Sequence, residues 1–463
     1  MSGSALRSEP GDRFDPDSIS RFSIDRASWV HRDSLELHYS FALLDGSTAY
    51  RFVERYEFDI PVSIERSPSQ HELQRATALL HLAASMSYYK AALPPEITVS
   101  TPLEPGSVVE VLGALNNEGL AEMRHRAGVG SRGESPSLIV TGTESHTTRL
   151  RRSLPTHRPV VVPIGGGKDS LVALDLVRRS GRTPVLLAVT TFGDPLATLS
   201  LDESLPIVRV RRTIDPELIA LNRRGALNGH VPVTAVISTI GLVAAVMIGA
   251  TEVVMANERD ASIPTLVENG RGINHQYSKS WEFERLLGGV VEREVGDTRV
   301  FSLLRPVSEA TIFRHFATMP EFHRQIASCN VVRTLGGGSA QGKRWCGSCP
   351  KCRYSFLGLA AFSDRRQVLD TFDGLNLFDD EAGLDDYLGL LELAGRVRPF
   401  ECVGVSSDAR YLMRRCIDNG QWLGSPLMRA VAPLLGDTSA PWIGGPNLVA
   451  EPYWPALRML AEE

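Results

Sequence analysis

The sequence predicts an α/β protein whose central part is a parallel sheet covered by helices on both faces. Two observations carry this. Short apolar runs recur without the alternation of a half-exposed sheet: "PVVVP" (159–163), "PVLLAVT" (184–190), "PIVRV" (206–210), "TEVVMA" (251–256) and "RVFSLL" (299–304). Stretches of helical character separate them, with helix starts near Asp169 and Val233. A third observation says where such a sheet would work. The first run leads straight into "GGGKDS" (165–170), and ligands of open α/β sheets bind beyond the carboxyl ends of the strands.

In chain order, residues 1–20 are polar and rich in Pro, Gly and Ser, which predicts a mobile arm. From 29 to 62 Leu35, Leu37, Tyr39 and Phe41, then Phe52, Tyr56 and Phe58, alternate with polar residues around "LDGST" (44–48), the pattern of a hairpin. "HELQRATALLHLAASMSYYKAAL" (71–93) has helical periodicity and stops at Pro94-Pro95. A further helix is expected over 107–124 and a loop over 126–137. Beyond about 360 the chain reads as mainly helical, with loops around 436–447. The division that follows is an arm (1–20), an α+β domain (21–157), the sheet domain with the glycine loop (158–360) and a helical region (361–463).

A length of 463 residues, 43% of them hydrophobic and 22% charged, describes a globular protein with room for several cores. The net charge of −5 argues against recruitment by nucleic acid or an acidic membrane surface, except through a local patch. No apolar secretory core is seen at the N-terminus, so a cytosolic location is expected. "VPVTAVISTIGLVAAVMIGA" (231–250) is long enough to raise a membrane span. Its Pro232, Ser238 and threonines, and its place between strands, favour a buried helix.

Three successive glycines, Gly165, Gly166 and Gly167, add nothing to a core. They let backbone N–H groups approach an anion, and the helix that follows directs its positive end to the same point. Asp169 or Ser170 could cap that helix. The bland alternative is a tight turn without a ligand. Walker A spacing is missing here, and so is the dinucleotide spacing G-x-G-x-x-G. Gly337 to Lys343 does have Walker spacing, but Arg344 replaces the hydroxyl and no apolar strand feeds it, so it reads as a decoy. Residues 165–170 instead resemble the S-G-G-x-D-S loop of the PP-loop ATP pyrophosphatases, with Gly165 where that family usually has Ser. The resemblance implies an adenine-nucleotide alpha-hydrolase-like sheet, ATP with Mg²⁺, and transfer of AMP to a substrate oxygen. Gly165, Gly166, Gly167, Lys168, Asp169 and Ser170 would hold the phosphates.

Cys329 and the run "WCGSCPKC", with Cys346, Cys349 and Cys352, supply four thiols that could close a structural zinc site. Simple turn residues, or reactive thiols of the sulfur-transfer kind, are the alternatives. Three more segments put polar groups at loop positions. "NGHVP" (228–232) offers Asn228 and His230. "ANERDAS" (256–262) offers Asn257, Glu258, Arg259 and Asp260. "NHQYSKSWEFE" (274–284) offers His275, Gln276 and Lys279. Singly, each reads as a solvated face or a cap; together, after a nucleotide-binding half, they read as substrate and Mg²⁺ contacts. Taken with "PIGGGKDSLVAL", the β-rich start and the cysteine run, these segments resemble the UDP-N-acetylmuramoyl-L-alanyl-L-glutamate epimerases of bacterial cell-wall synthesis.

That resemblance implies ATP-dependent inversion of the terminal L-Glu through an acyl-adenylate, followed by hydrolysis to AMP and the D-Glu product. Adenylation removes the carboxylate charge that opposes an α-carbanion, which explains why an epimerase would carry an ATP loop. Lys168 and Asp169 are the first candidates for catalysis. Glu258, His275, Lys279, Asp260 or a thiol of Cys346 or Cys349 would be the acid/base, and Arg259 or Arg271 would hold the γ-carboxylate. The implied partners are the UDP-muramoyl dipeptide and a ligase that adds L-Glu. Two other functions fit the residues: a PP-loop amidating or thiolating enzyme acting on a nucleobase or tRNA, and an ATP-binding sensor without turnover.

Overall fold

Ten strands of this chain hydrogen-bond into one sheet, in the order β12-β9-β6-β7-β8-β3-β2-β1-β4-β5. They are β1 (Ile19–His31), β2 (Ser34–Leu43), β3 (Thr48–Asp59), β4 (Glu96–Ser100), β5 (Ser137–Thr141), β6 (Val160–Pro163), β7 (Pro184–Thr190), β8 (Ile207–Thr213), β9 (Glu252–Met255) and β12 (Arg299–Ser302). The short strands β10 (Leu266–Glu268) and β11 (Arg271–Ile273) pair separately as a hairpin. This computed structural model describes residues 13–142, 158–329 and 344–462, apart from 192, 269, 327 and 442. Residues 1–12 of the expected arm and the Walker-like string from Gly337 to Lys343 lie outside the described residues. Phe14, within the stretch read as an arm, is buried, and its N–H donates to the Arg224 carbonyl.

The sheet is α/β and mostly parallel, as the apolar runs predict. β12, β9, β6, β7 and β8 are all parallel neighbours, each of the five runs having become a strand. From β6 the chain builds outward to β7 and β8, then crosses back to lay β9 and β12 on the other side. The crevice between β6 and β9 is therefore the point where the winding reverses. The helices α4 (Lys168–Arg179), α5 (Pro216–Arg223), α6 (Val233–Ile248), α7 (Trp281–Glu294) and α8 (Glu309–Ala317) complete this half. In α6, a Cβ on Gly241 would stand 2.8 Å from Val253 Cγ1, so its absence lets the helix lie close on β9.

The predicted hairpin is β2–β3, turned at Gly46, but the strand pattern starts earlier than residue 29, with β1. β3 then pairs antiparallel with β8, so strands from both sides of the boundary expected after residue 157 share one sheet. A buried network holds this seam. Arg212 Nε donates to Glu54 Oε1 at 2.6 Å, the Tyr56 hydroxyl donates to the same oxygen at 2.5 Å, and Arg212 Nη2 reaches Ser87 Oγ at 3.1 Å. Cutting one member would strand a buried charge, at a cost of about 3–5 kcal/mol.

Helix α1 (Gln70–Tyr89) is buried along most of its length because it is covered on both sides. Tyr88 stacks on Tyr39 at 4.7 Å on the hairpin side, and Arg75 makes a buried ion pair with Glu294 of α7. The helix expected over 107–124 is two helices, α2 (Pro105–Asn117) and α3 (Ala121–Ala127). The break has a partner: buried Arg124 donates to the Asn116 carbonyl at 2.6 Å, taking an acceptor the helix end leaves open. After β12 the described chain is helical, with the helices Pro350–Phe362 and Ser406–Asp418 at its centre. The apolar segment 231–250 contains α6, and among the described residues no helix is long and apolar enough to cross a membrane.

Candidate active site

The turn after β6 opens the site. Gly166 takes φ +77°, in the left-handed region that glycine enters at little cost. Gly167 is the N-cap of α4 and makes no side-chain cap bond. The cap expected of Asp169 or Ser170 does not form. Ser170 Oγ donates to the Gly167 carbonyl at 2.9 Å, and Asp169 Oδ1 accepts from Lys168 Nζ at 2.6 Å. The positive end of α4 therefore faces the turn without a side chain across it.

Lys168 points into the crevice. Its Nζ lies 4.3 Å from the centre of the Phe313 ring and forms a buried ion pair with Glu309, the first residue of α8. Glu258 arrives from the segment after β9, as the strand-end argument required. Asp169, Glu258 and Glu309 each bring a carboxylate oxygen within 4.8 Å of the others. Burial lifts the Glu309 carboxyl to about 8, with Lys168 opposing and Asp169 and Glu258 adding to the shift. The same carboxylates outweigh burial at Lys168 and raise its ammonium above the usual lysine range. Glu258 is 3% exposed, and its Oε2 has no hydrogen-bond partner. Clustered carboxylates with a buried, orphaned oxygen fit a hard divalent cation such as Mg²⁺.

The supports of this cluster are also buried. Arg305, 1% exposed, donates from Nε to Glu284 Oε2 at 2.9 Å, from Nη1 to the Glu258 carbonyl at 2.6 Å, and from Nη2 to the Lys279 carbonyl. Asp260 Oδ2 accepts from the Glu309 N–H at 3.0 Å, and Asp408 Oδ2 accepts from the Ala310 N–H at 2.8 Å. Burial, reinforced by Asp408, lifts the Asp260 carboxyl to about 8. Asn257 is fixed through its backbone to Ser302 Oγ, its N–H donating at 2.5 Å and its carbonyl accepting at 2.9 Å.

Lys279 connects this centre to a second group. Its Nζ donates to Gln276 Oε1 at 3.2 Å, and its charge acts on Cys402, Glu258, Asp169 and Glu309. His275 Nδ1 is 3.0 Å from Glu122 Oε2, and its ring centre is 4.3 Å from that of His230. Burial works against a charged imidazole at His275, but Cys402 and Glu122 outweigh it and push it up to about 9. Burial, with His275 beside it, takes His230 down to about 4.

Contacts and charges thus link Lys168, Asp169, Glu258, Asp260, Lys279, Gln276, His275 and His230 in one series. Arg259 is held 3.4 Å from Asp260 Oδ1. Two expected substrate contacts are bonded to other parts of the chain. Arg271 pairs with Glu134 and Glu118 at 2.7 and 2.9 Å, and Asn228 Oδ1 accepts from Lys90 Nζ at 2.5 Å. Glu309, Arg305 and Glu122 escape the sequence reading. Glu309 and Arg305 follow an apolar strand, which is the signal that located Glu258; nothing in the spacing marks Glu122.

The four cysteines converge. Cys329 and Cys349 sulfurs are 3.9 Å apart, Cys346 and Cys352 3.7 Å, and Cys349 and Cys352 3.5 Å. Tetrahedral zinc with Zn–S bonds of about 2.3 Å sets sulfurs about 3.8 Å apart, so the donor set fits zinc. Ser328, next to Cys329, stands against the glycine turn: a Cβ on Gly167 would be 3.4 Å from its Oγ.

The chain resembles known proteins over most of its length. The MurL N-terminal domain family matches residues 13–303, which hold every strand of the sheet, and the MurL C-terminal domain family matches residues 325–441. A UDP-N-acetyl-alpha-D-muramoyl-L-alanyl-L-glutamate epimerase of Salinispora tropica is 37% identical over 440 residues, covering 92% of this chain and 93% of the relative. The protein of the same name from a Micromonospora species is 35% identical over 456 residues, covering 96% and 98%. That from Xanthomonas oryzae pv. oryzae is 37% identical over 353 residues, covering 76% of each. No solved structure matches the chain.

Proposed function

The chain belongs to the MurL family, and we infer that it is an epimerase that inverts the terminal L-glutamate of UDP-N-acetyl-alpha-D-muramoyl-L-alanyl-L-glutamate to the D form in peptidoglycan synthesis. We further propose that it does so as a PP-loop enzyme, through an acyl-adenylate. The observation that carries this is the crevice at the winding reversal, where the Gly166 turn, Lys168 and three carboxylates meet. Backbone N–H groups of the turn and the first turn of α4 would receive the phosphates of ATP. Lys168 offsets the charge that develops at the α-phosphate when the glutamate carboxylate attacks and pyrophosphate leaves.

Asp169, Glu258 and Glu309 would hold Mg²⁺, which when bound neutralises polyphosphate charge. Arg305 fixes the backbone of Glu258 and Lys279 so that both keep their place during turnover. Once the carboxylate is an adenylate, its carbonyl accepts the electron pair of the α-C–H bond, and the proton can leave and return on the other face. Water then releases AMP. We propose that the four cysteines hold a structural zinc, since the cluster has no open position. We also propose that the reaction takes place in the cytosol, downstream of a ligase that adds L-Glu.

Incubation with ATP, Mg²⁺ and the L-Glu substrate tests the reading, with AMP, pyrophosphate and glutamate chirality followed together. D-Glu formed in step with AMP is the expected result. Unchanged L-Glu without AMP, from a folded protein, would overturn it.

A further inference from the structure

Glu122, His230 and His275 come from three separate parts of the chain: the first turn of α3, the loop before α6 and the segment after β11. Each brings a donor atom toward the other two, so that a carboxylate oxygen and two ring nitrogens lie within 4.8 Å of one another. The tightest contact given by these donors is His275 Nδ1 to Glu122 Oε2, at 3.0 Å, and the two imidazole rings stand 4.3 Å apart, centre to centre. Glu122 is 2% exposed and the His275 side chain 11%.

All three are braced from behind. Glu122 Oε1 accepts from Arg126 Nη1 at 3.1 Å, which leaves Oε2 for the histidines. The loop with His230 packs onto the same helix: a Cβ on Gly229 would stand 2.6 Å from Met123 Cγ, and Lys90 Nζ donates to Asn228 beside it. On the third side Asn274 brackets His275. Its Nδ2 donates to the Ala261 carbonyl at 2.9 Å, and its Oδ1 accepts from the Gln276 N–H at 2.8 Å. Donors fixed in this way are what a metal site requires, because ligands that must first be gathered hold an ion weakly.

We propose that Glu122, His230 and His275 bind a divalent cation of the zinc class. Two imidazoles with one carboxylate suit zinc and its neighbours, whereas the oxygen-only set of Asp169, Glu258 and Glu309 suits Mg²⁺. Zinc holds nitrogen and oxygen at about 2.0–2.2 Å, which sets two donors of a tetrahedral ion about 3.3–3.6 Å apart, so the Glu122–His275 contact has to open by only about half an ångström. The ion takes the place of the proton between these two side chains, and binding releases that proton to solvent. Three protein ligands leave a fourth position for water or for an oxygen of a bound substrate, unlike the closed four-thiol cluster. With one ligand fewer, this ion exchanges more readily than one held by four thiolates and is supplied from solution instead of surviving purification. The proposal stands apart from the epimerase reading: it concerns only what these three side chains hold.

The test is equilibrium dialysis of the full chain against a fixed micromolar concentration of free Zn²⁺, comparing wild type with Glu122→Gln and His275→Gln. Wild type should hold about one zinc per chain more than either variant by elemental analysis, since one cluster is lost and the thiols are untouched. Affinity for that ion should fall about 100-fold or more, because a lost ligand costs at least as much as a lost outer partner. Equal zinc in wild type and variants overturns the proposal. Excess Mg²⁺ should leave the extra zinc in place; its displacement would assign the ion to the three carboxylates and overturn the proposal as well. A second arm needs no variant and decides the matter where a variant fails to fold. X-ray absorption of zinc-equilibrated wild type should show imidazole nitrogen around zinc, beside any sulfur shell. A spectrum with sulfur alone, or with no imidazole scattering, overturns the proposal.

Discussion

Lys168 and Glu309 form a buried ion pair although 141 residues separate them in the chain. The pair ties the first turn of α4 to the first turn of α8 across the crevice. It also sets the charge that an incoming triphosphate meets. Glu309→Gln keeps the shape but removes one carboxylate of the cluster and one partner of the lysine. AMP release should fall about 100-fold or more. The melting temperature should also drop, because breaking a buried pair costs up to about 3–5 kcal/mol. Substrate-dependent AMP release equal to wild type would remove Glu309 from the site.

The glycine turn makes a contrasting pair of predictions. A Cβ at Gly165 meets nothing within 4 Å, so Gly165→Ser should fold and retain AMP release, restoring the hydroxyl usual in PP-loops. Gly166 at φ +77° has no such latitude. Gly166→Ala should strain the turn by about 1–2 kcal/mol and weaken ATP binding. Titration of both variants with ATP checks this; equal affinities would mean that the turn does not contact the nucleotide.

How much of this was readable in the sequence follows from how local each signal is. The strands β6, β7, β8, β9 and β12 are apolar runs whose pattern needs no distant partner, and the glycines of "GGGKDS" mark the strand-to-helix turn locally. The joining of the two halves is not local. It rests on β3 meeting β8 and on Glu54 finding Arg212 158 residues away, and nothing in either segment announces the other. The same holds for the site. Glu258 stands just after an apolar strand, where a ligand residue is expected, whereas Glu122 sits within a short helix and acquires meaning only beside His275, 153 residues away. The split of the 107–124 helix depends on Arg124 reaching back to Asn116, a tertiary contact within a local stretch.

The thiol cluster carries a metal prediction. Protein purified without chelator should hold about one zinc per chain by elemental analysis, as four thiolates in a closed site require. Cys349→Ser should lose the metal. It should also lower activity, since the segment with Cys329 stands against the glycine turn through Ser328. Wild-type protein with no bound metal would return the four cysteines to the status of reduced core residues.

Arg305 gives a prediction about positioning. Its guanidinium reaches Glu284 and the carbonyls of Glu258 and Lys279 at once, which the point charge of a lysine does not reproduce. Arg305→Lys should lower kcat for AMP release about 10-fold to 100-fold while leaving KM for the muramoyl substrate within about threefold. A fall in thermal stability with kcat unchanged would mean that Arg305 braces the fold and not the reacting groups.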